Sequence, residues 1–147
     1  MAQRAEMKKK KFSKFYFLFF ILLIFLDQIV KYFMTNKKYT IVRNFFYLIF
    51  KKNYGAAFGV LAGHRLFLVS AGIIITIVLF FLLFKIKNKL PVVLLLAGTI
   101  GNLIDRLIFG YVRDFINIWF LSSFNFADVF CVIGGILLII DIFKNEI

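Results

Sequence analysis

The chain has 147 residues, 63% of them hydrophobic, a formal net charge of +12 and a mean hydropathy of +0.93. Soluble domains are about 45–50% apolar, so bilayer rather than water is the expected solvent, for a single integral membrane domain over residues 1–147. One cysteine and one histidine rule out an internal disulfide and a His/Cys metal cluster, so no metal and no cofactor are expected; the basic excess flanks apolar runs, which suits membrane lipids and not nucleic acid.

Residues 1–14 carry Arg4, Lys8, Lys9, Lys10, Lys11 and Lys14, and an unbroken apolar run follows from Phe15 to Leu26. A cleavable signal segment would continue into small residues. Asp27, Gln28 and Lys31 come instead, so a first membrane span is expected over 13–33. Asp27 and Lys31 stand four apart and share a helix face; an ion pair bracing the helix end and a substrate contact are both open there.

Thr40-Ile41-Val42 and Phe45 to Phe50 are β-branched and aromatic. They predict short strands in a β-rich segment over 36–62 lying on the membrane face, with Lys51 to Gly55 as a turn or strand end. In Asn53-Tyr54-Gly55-Ala56-Ala57-Phe58-Gly59, Asn53 can both donate and accept toward a peptide backbone. The small residues after it permit close approach of another chain, while the plain alternative is a turn into the next helix. His64 is given no role.

A second span is expected over 66–84, closed by Lys85, Lys87 and Lys89, and a third over 90–110 with Asn102, Asp105 and Arg106 in its last third. Asp105 and Arg106 are adjacent and must point apart, so each needs its own partner. A structural bracket is favoured over catalysis for Asp105. Residues 111–123 read as a second connection outside the cytoplasm, with Trp119 suited to the interface. The fourth span, 124–143, opens with Asn125 and Asp128. Within it Cys131 and Gly134-Gly135 are read as packing residues, and Asp141 as a solvated carboxylate near the cytoplasmic end.

Four spans put both ends of the chain on one side. That side has ten basic residues in short segments against eight in longer ones, roughly two to three times the density, so it is cytoplasmic. Asp27, Asp105, Asp114 and Asp128 then converge at the extracytoplasmic ends of their spans. Ionisable groups at that depth are costly and mark function by default. A hairpin-like connection would bring Asp114 and Asp128 together; two close carboxylates share one proton, one serving as base toward water and the other as acid toward a leaving group. Spacing alone leaves this as one reading among several. A proton or ion relay would stagger its acids through the membrane's depth, and these gather at one end. A binding protein without turnover is the other alternative.

Five motifs run in order from the first span to the fourth: Asp27-Gln28-x-x-Lys31, Asn53-x-Gly55-Ala56-Ala57-Phe58, Gly101-Asn102-x-x-Asp105-Arg106, Val112-x-Asp114-Phe115 and Phe124-Asn125-x-Ala127-Asp128. Each is weak alone; together they resemble the lipoprotein signal peptidase (signal peptidase II) family over nearly the whole chain. The resemblance implies four transmembrane helices with a small extracytoplasmic β-cradle in a bacterial inner membrane, both termini cytoplasmic. It implies that Asp114 and Asp128 are the catalytic dyad of an aspartic endopeptidase. It implies site-shaping or substrate-binding roles for Asp27, Lys31, Asn53, Gly55, Asn102, Asp105, Arg106, Asn125 and Ala127. The implied substrate is a prolipoprotein cut just before a diacylglyceryl cysteine, by an enzyme expected to be monomeric. Two positions depart from the family's habit: Arg113, where an aliphatic residue is frequent, and Val129, where a small or hydroxyl residue is common. Arg113 is expected to favour the ionised form of Asp114 if the two side chains approach.

Overall fold

The computed structural model describes residues 13–56 and 61–144. The basic cluster of Arg4 and Lys8 to Lys11 lies outside these residues, as do Ala57, Phe58 and Gly59.

Four helices are long and apolar enough to cross a membrane: α1 (Lys14–Met34), α2 (Arg65–Lys85), α3 (Leu90–Ile108) and α4 (Phe126–Phe143). At about 1.5 Å per residue, each approaches the roughly 30 Å of a hydrocarbon core. α1, α2 and α4 present apolar side chains outward nearly all round, among them Phe25, Ile74 and Ile136, as a lipid-facing helix does. α3 is the central helix, buried along much of its length and packed on the other three. Pro91 lies in its first turn, where a missing N–H costs nothing.

The core changes character along the membrane normal. Toward the α2–α3 connection it is apolar, built from Leu79, Leu83, Ile86, Val92, Val93 and Leu96. Leu23, Leu94 and Ala97 continue it. Toward the other end it is polar, with Asp27, Lys31, Asn102, Asp105, Arg113, Asp114 and Asn125 all buried.

The sheet sits over that polar end. β1 (Lys38–Val42), β2 (Phe46–Asn53) and β3 (Val112–Ile118) are antiparallel in the order β1-β2-β3. β1 and β2 match the two strands expected from sequence, and Lys51 to Asn53 form the end of β2. β3 is a correction: residues 112–118 read as a connection, yet they form the third strand, which is buried for most of its length. Gly110, at φ +81°, ends α3 in the left-handed region, so the chain can turn straight into β3. After β3 the chain returns on itself: Phe124 donates to the Ile116 carbonyl, and its own carbonyl accepts from Phe115 and Ile116 at 3.1 and 2.9 Å. The hairpin-like connection between Asp114 and Asp128 is thus present.

α4 starts with a capping box. Asn125 Oδ1 accepts from Asp128 N at 3.1 Å, and Asp128 Oδ2 accepts from Asn125 N at 3.1 Å. Both amides would otherwise be orphaned at a helix start, and the carboxylate sits at the favourable end of the helix dipole. The Asn125-x-x-Asp128 spacing therefore has a structural role that the sequence reading missed.

Candidate active site

Two layers of carboxylates occupy the polar end. In the deeper layer, Asp27 and Asp105 are 0% exposed and neutralised by cations. Lys31 Nζ lies 2.8 Å from Asp27 Oδ2, 3.4 Å from Asp105 Oδ2 and 3.0 Å from Asn102 Oδ1, so its three N–H groups meet three acceptors. Arg113 holds Asp105 Oδ1 through Nη2 at 2.7 Å, and its backbone N–H donates to Asp105 Oδ2 at 2.8 Å. Gln28 joins the two carboxylates: its amide donates to Asp27, to Asp105 and to the Gly101 carbonyl, while its oxygen accepts from Arg113. Asp27 Oδ1 also accepts from Ala127 N at 3.0 Å, which fastens the start of α4 to α1. Buried charges are tolerated only when paired and hydrogen-bonded in this way.

Asp27 has no exposed surface, and its two oxygens are taken by Lys31, Gln28 and the Ala127 N–H, the arrangement of the brace reading. Asp105 is tied to Arg113 and Lys31, and Arg106 points elsewhere, donating to the Gly55 carbonyl at 3.0 Å. Gly101 belongs to the same fit: a Cβ there would stand 2.8 Å from Asp27 Oδ2.

In the upper layer, Asp114 and Asp128 are held by neutral amides. Asp114 Oδ1 accepts from Asn125 Nδ2 at 2.7 Å and Oδ2 from Asn53 Nδ2 at 3.0 Å. Asp128 Oδ1 accepts from Asn102 Nδ2 at 2.8 Å. Asn125 Nδ2 also donates to Asn102 Oδ1 at 3.1 Å, so one chain of amides runs Asp128–Asn102–Asn125–Asp114, with Lys31 behind Asn102. Asn53 is aimed by its own loop, its Oδ1 accepting from Gly55 N at 3.0 Å. Of the ion pairs among the described residues, none includes Asp114 or Asp128.

Burial, then the neighbouring Asp128 charge, push the Asp114 carboxyl up to about 7, although Asn125 and Asn53 favour its ionised form. The condition attached to Arg113, that its side chain approach Asp114, is not met. Successive strand residues project to opposite faces. Arg113 points down to Asp105, Gln28 and the Phe109 ring, whose centroid is 4.4 Å from its Cζ, and Asp114 points up.

Two cavities adjoin here. One, of about 320 Å³, is lined by Asp114 and by the end of β2. The other, of about 300 Å³, is lined by Asn102, Arg106 and Asp128 and runs along α4 to Cys131 and Val132. Asn53, Ser122 and Ser123 border both. All eleven site residues expected from sequence gather at this end of the molecule, in or beneath these cavities. Gln28 and Arg113 were not named for the site. Gln28 lay inside the first motif and was passed over, and Arg113 was read only against its sequence neighbour. Asp141 is also more than a solvated carboxylate, since it accepts from Asn88 at 3.0 Å. Among the described residues, no three of His, Cys, Asp and Glu converge as a metal site.

The family model described as "Signal peptidase (SPase) II" matches residues 19–144. The lipoprotein signal peptidase of Caldanaerobacter subterraneus subsp. tengcongensis is 41% identical over 135 residues, covering 84% of this chain and 93% of that one. That of Clostridioides difficile is 36% identical over 136 residues, covering 85% and 92%. A solved bacterial membrane enzyme superposes with a TM-score of 0.86 at 32% identity, over 93% of this chain and 92% of its own.

Proposed function

The chain belongs to the signal peptidase II family, and from that membership we propose that Asp114 and Asp128 hydrolyse the signal peptide of a diacylglyceryl prolipoprotein just before the lipidated cysteine. What supports the pairing of roles is the contrast between the layers: Asp27 and Asp105 are neutralised by Lys31 and Arg113, while Asp114 and Asp128 meet only amide donors at the walls of two joined cavities. Two neighbouring carboxylates that make no direct ion pair with a cation share a proton.

In this proposal the proton rests on Asp114 at neutral pH, the group pushed up to about 7, and Asp128 is the base. Water attacks the scissile carbonyl carbon as Asp128 takes its proton and Asp114 gives one to the carbonyl oxygen. The tetrahedral diol then collapses. Asp128 returns its proton to the amide nitrogen, the C–N bond breaks, and Asp114 recovers a proton from a diol hydroxyl. Asn53 and Asn125 keep Asp114 in place through both steps, and Asn102 does the same for Asp128. The signal segment lies against the apolar helices, and confinement of both partners to one membrane lowers the entropic cost of encounter. The charge distribution supports a bacterial inner-membrane orientation with the sheet outside and the Lys85–Lys89 connection in the cytoplasm. The protein acts as a monomer in this reading.

Purified Asp114→Asn and Asp128→Asn variants are each expected to cleave a diacylated prolipoprotein about a thousandfold more slowly than wild type. Near-normal cleavage by either would remove that residue from the dyad.

A further inference from the structure

Lys51 stands directly across from Asp114 in the pairing of β2 with β3. Cross-strand partners project to the same face, and Asn53, two residues along, reaches Asp114 from that face. A lysine and an aspartate so arranged ordinarily pair. Here Asp114 gives both oxygens to Asn53 and Asn125, and Lys51 takes part in none of the ion pairs among the described residues. Lys51 is exposed and lines the same cavity as Asp114. Its neighbour Lys52 holds its ammonium 4.9 Å from the centroid of the Tyr111 ring.

Among the described residues, no carboxylate on this side neutralises Lys51. Of the described carboxylates, Asp27, Asp105 and Asp114 are buried. Asp128 lines the other cavity, and Asp141 lies in the last turn of α4, at the far end of the helix.

The two cavities also give a bound peptide a direction. The one with Asp128 runs down α4 to Val132, a side chain 61% exposed on a lipid-facing helix. The one with Asp114 ends at the polar tip of β2. An apolar signal segment belongs in the first, and the polar chain beyond the scissile bond leaves through the second.

We propose that Lys51 is a specificity residue, forming a subsite for an acidic side chain in the first residues after the lipidated cysteine. This rests on the peptidase reading above. A cross-strand step of about 5 Å plus an extended lysine spans roughly 10 Å, or about three residues of extended chain. An anionic lipid headgroup is the competing partner. Lys51's place in one cavity with Asp114, and not on the outer strand, favours the peptide.

The test uses two synthetic diacylglyceryl-cysteine peptides with one signal segment, differing only in carrying aspartates or lysines at the second to fourth positions after the cysteine. In neutral detergent at low ionic strength, wild type is expected to prefer the acidic peptide by about fivefold in kcat/KM, the size that solvent-exposed charge pairs give. The preference should shrink at high salt. Lys51→Ser should bring the ratio near one, and Lys51→Glu should invert it. The ratio is measured within one preparation, so partial loss of folded enzyme leaves it unchanged. A wild-type ratio near one, or a ratio that Lys51→Glu leaves in place, would overturn the proposal. So would an equal rate gain for both peptides on adding phosphatidylglycerol that disappears in Lys51→Glu, which would make Lys51 a headgroup contact. If wild type cuts neither peptide, the peptidase reading itself fails and takes this one with it.

Discussion

Asp105 and Asp114 are almost equally shut off from water, at 0% and 1% exposure, so burial does not explain why one serves as a brace and the other as the proposed acid. Their partners do. Asp105 faces the guanidinium of Arg113 and the ammonium of Lys31, whereas Asp114 faces two amides and a second carboxylate. With Asp114 pushed up to about 7, the dyad keeps its shared proton below neutrality and loses it above, the two groups titrating as a pair. kcat/KM is expected to fall about tenfold per pH unit above roughly pH 7; a profile that stays flat to pH 9 would contradict the shared-proton mechanism. Stability follows with a defined sign. The folded carboxyl resists ionisation more than the unfolded one, whose value is 3.8. The stabilisation is therefore complete below about pH 4 and is lost as pH rises through about 7. Asp114→Asn removes that slope, so in detergent the variant should gain thermal stability relative to wild type as pH rises from about 4 to about 7, with no further gain above.

Among the elements, α3 and α4 must meet closely for the two layers to form. A Cβ on Gly98 would stand 2.3 Å from the Ala127 carbonyl, and one on Gly134 would stand 2.8 Å from the Pro91 carbonyl. A backbone oxygen cannot swing aside as a side chain can. Gly135, next in sequence, meets nothing within 4 Å, so the pair read together as packing residues divides: Gly134 packs and Gly135 faces outward. Gly134→Ala should destabilise the protein by about 1–3 kcal/mol as the helices are forced apart. Gly135→Ala should be neutral or slightly stabilising through helix propensity. Equal melting temperatures for the two in detergent would show that the close approach does not matter. β3 belongs to this scale too. It was not legible as a strand because it is covered on both faces, which removes the alternation that marks a half-buried strand. Its Arg113 and Asp114 look like loop residues until their partners on α1, α3 and β2 are known.

Over the whole molecule, the apolar end of the core and the polar end beneath the sheet define a direction, and the lysine distribution predicts which end faces the cytoplasm. A single cysteine placed at Lys87, in a Cys131→Ser background, should resist a membrane-impermeant maleimide in intact spheroplasts. One placed at Phe120, beyond β3, should react. The opposite pattern would invert the topology.

The amino-acid sequence by itself determined that the chain lies in a membrane, because a 63% apolar chain cannot be covered by water. It also singled out the polar residues to consider as candidates, since charges at bilayer depth are costly to keep. It placed them at one end through span boundaries and lysine density alone. The choice of Asp114 and Asp128 among four aspartates came from family resemblance, not from spacing. Only the tertiary structure decided which carboxylates are neutralised and which are left to amides. The pairs that settle this, Lys31 with Asn102, Asp27 with Ala127 and Asn53 with Asp114, are 71, 100 and 61 residues apart in the chain. Local sequence carries no record of such distances, and the charge state of a buried group is fixed by whatever stands within a few ångströms of it.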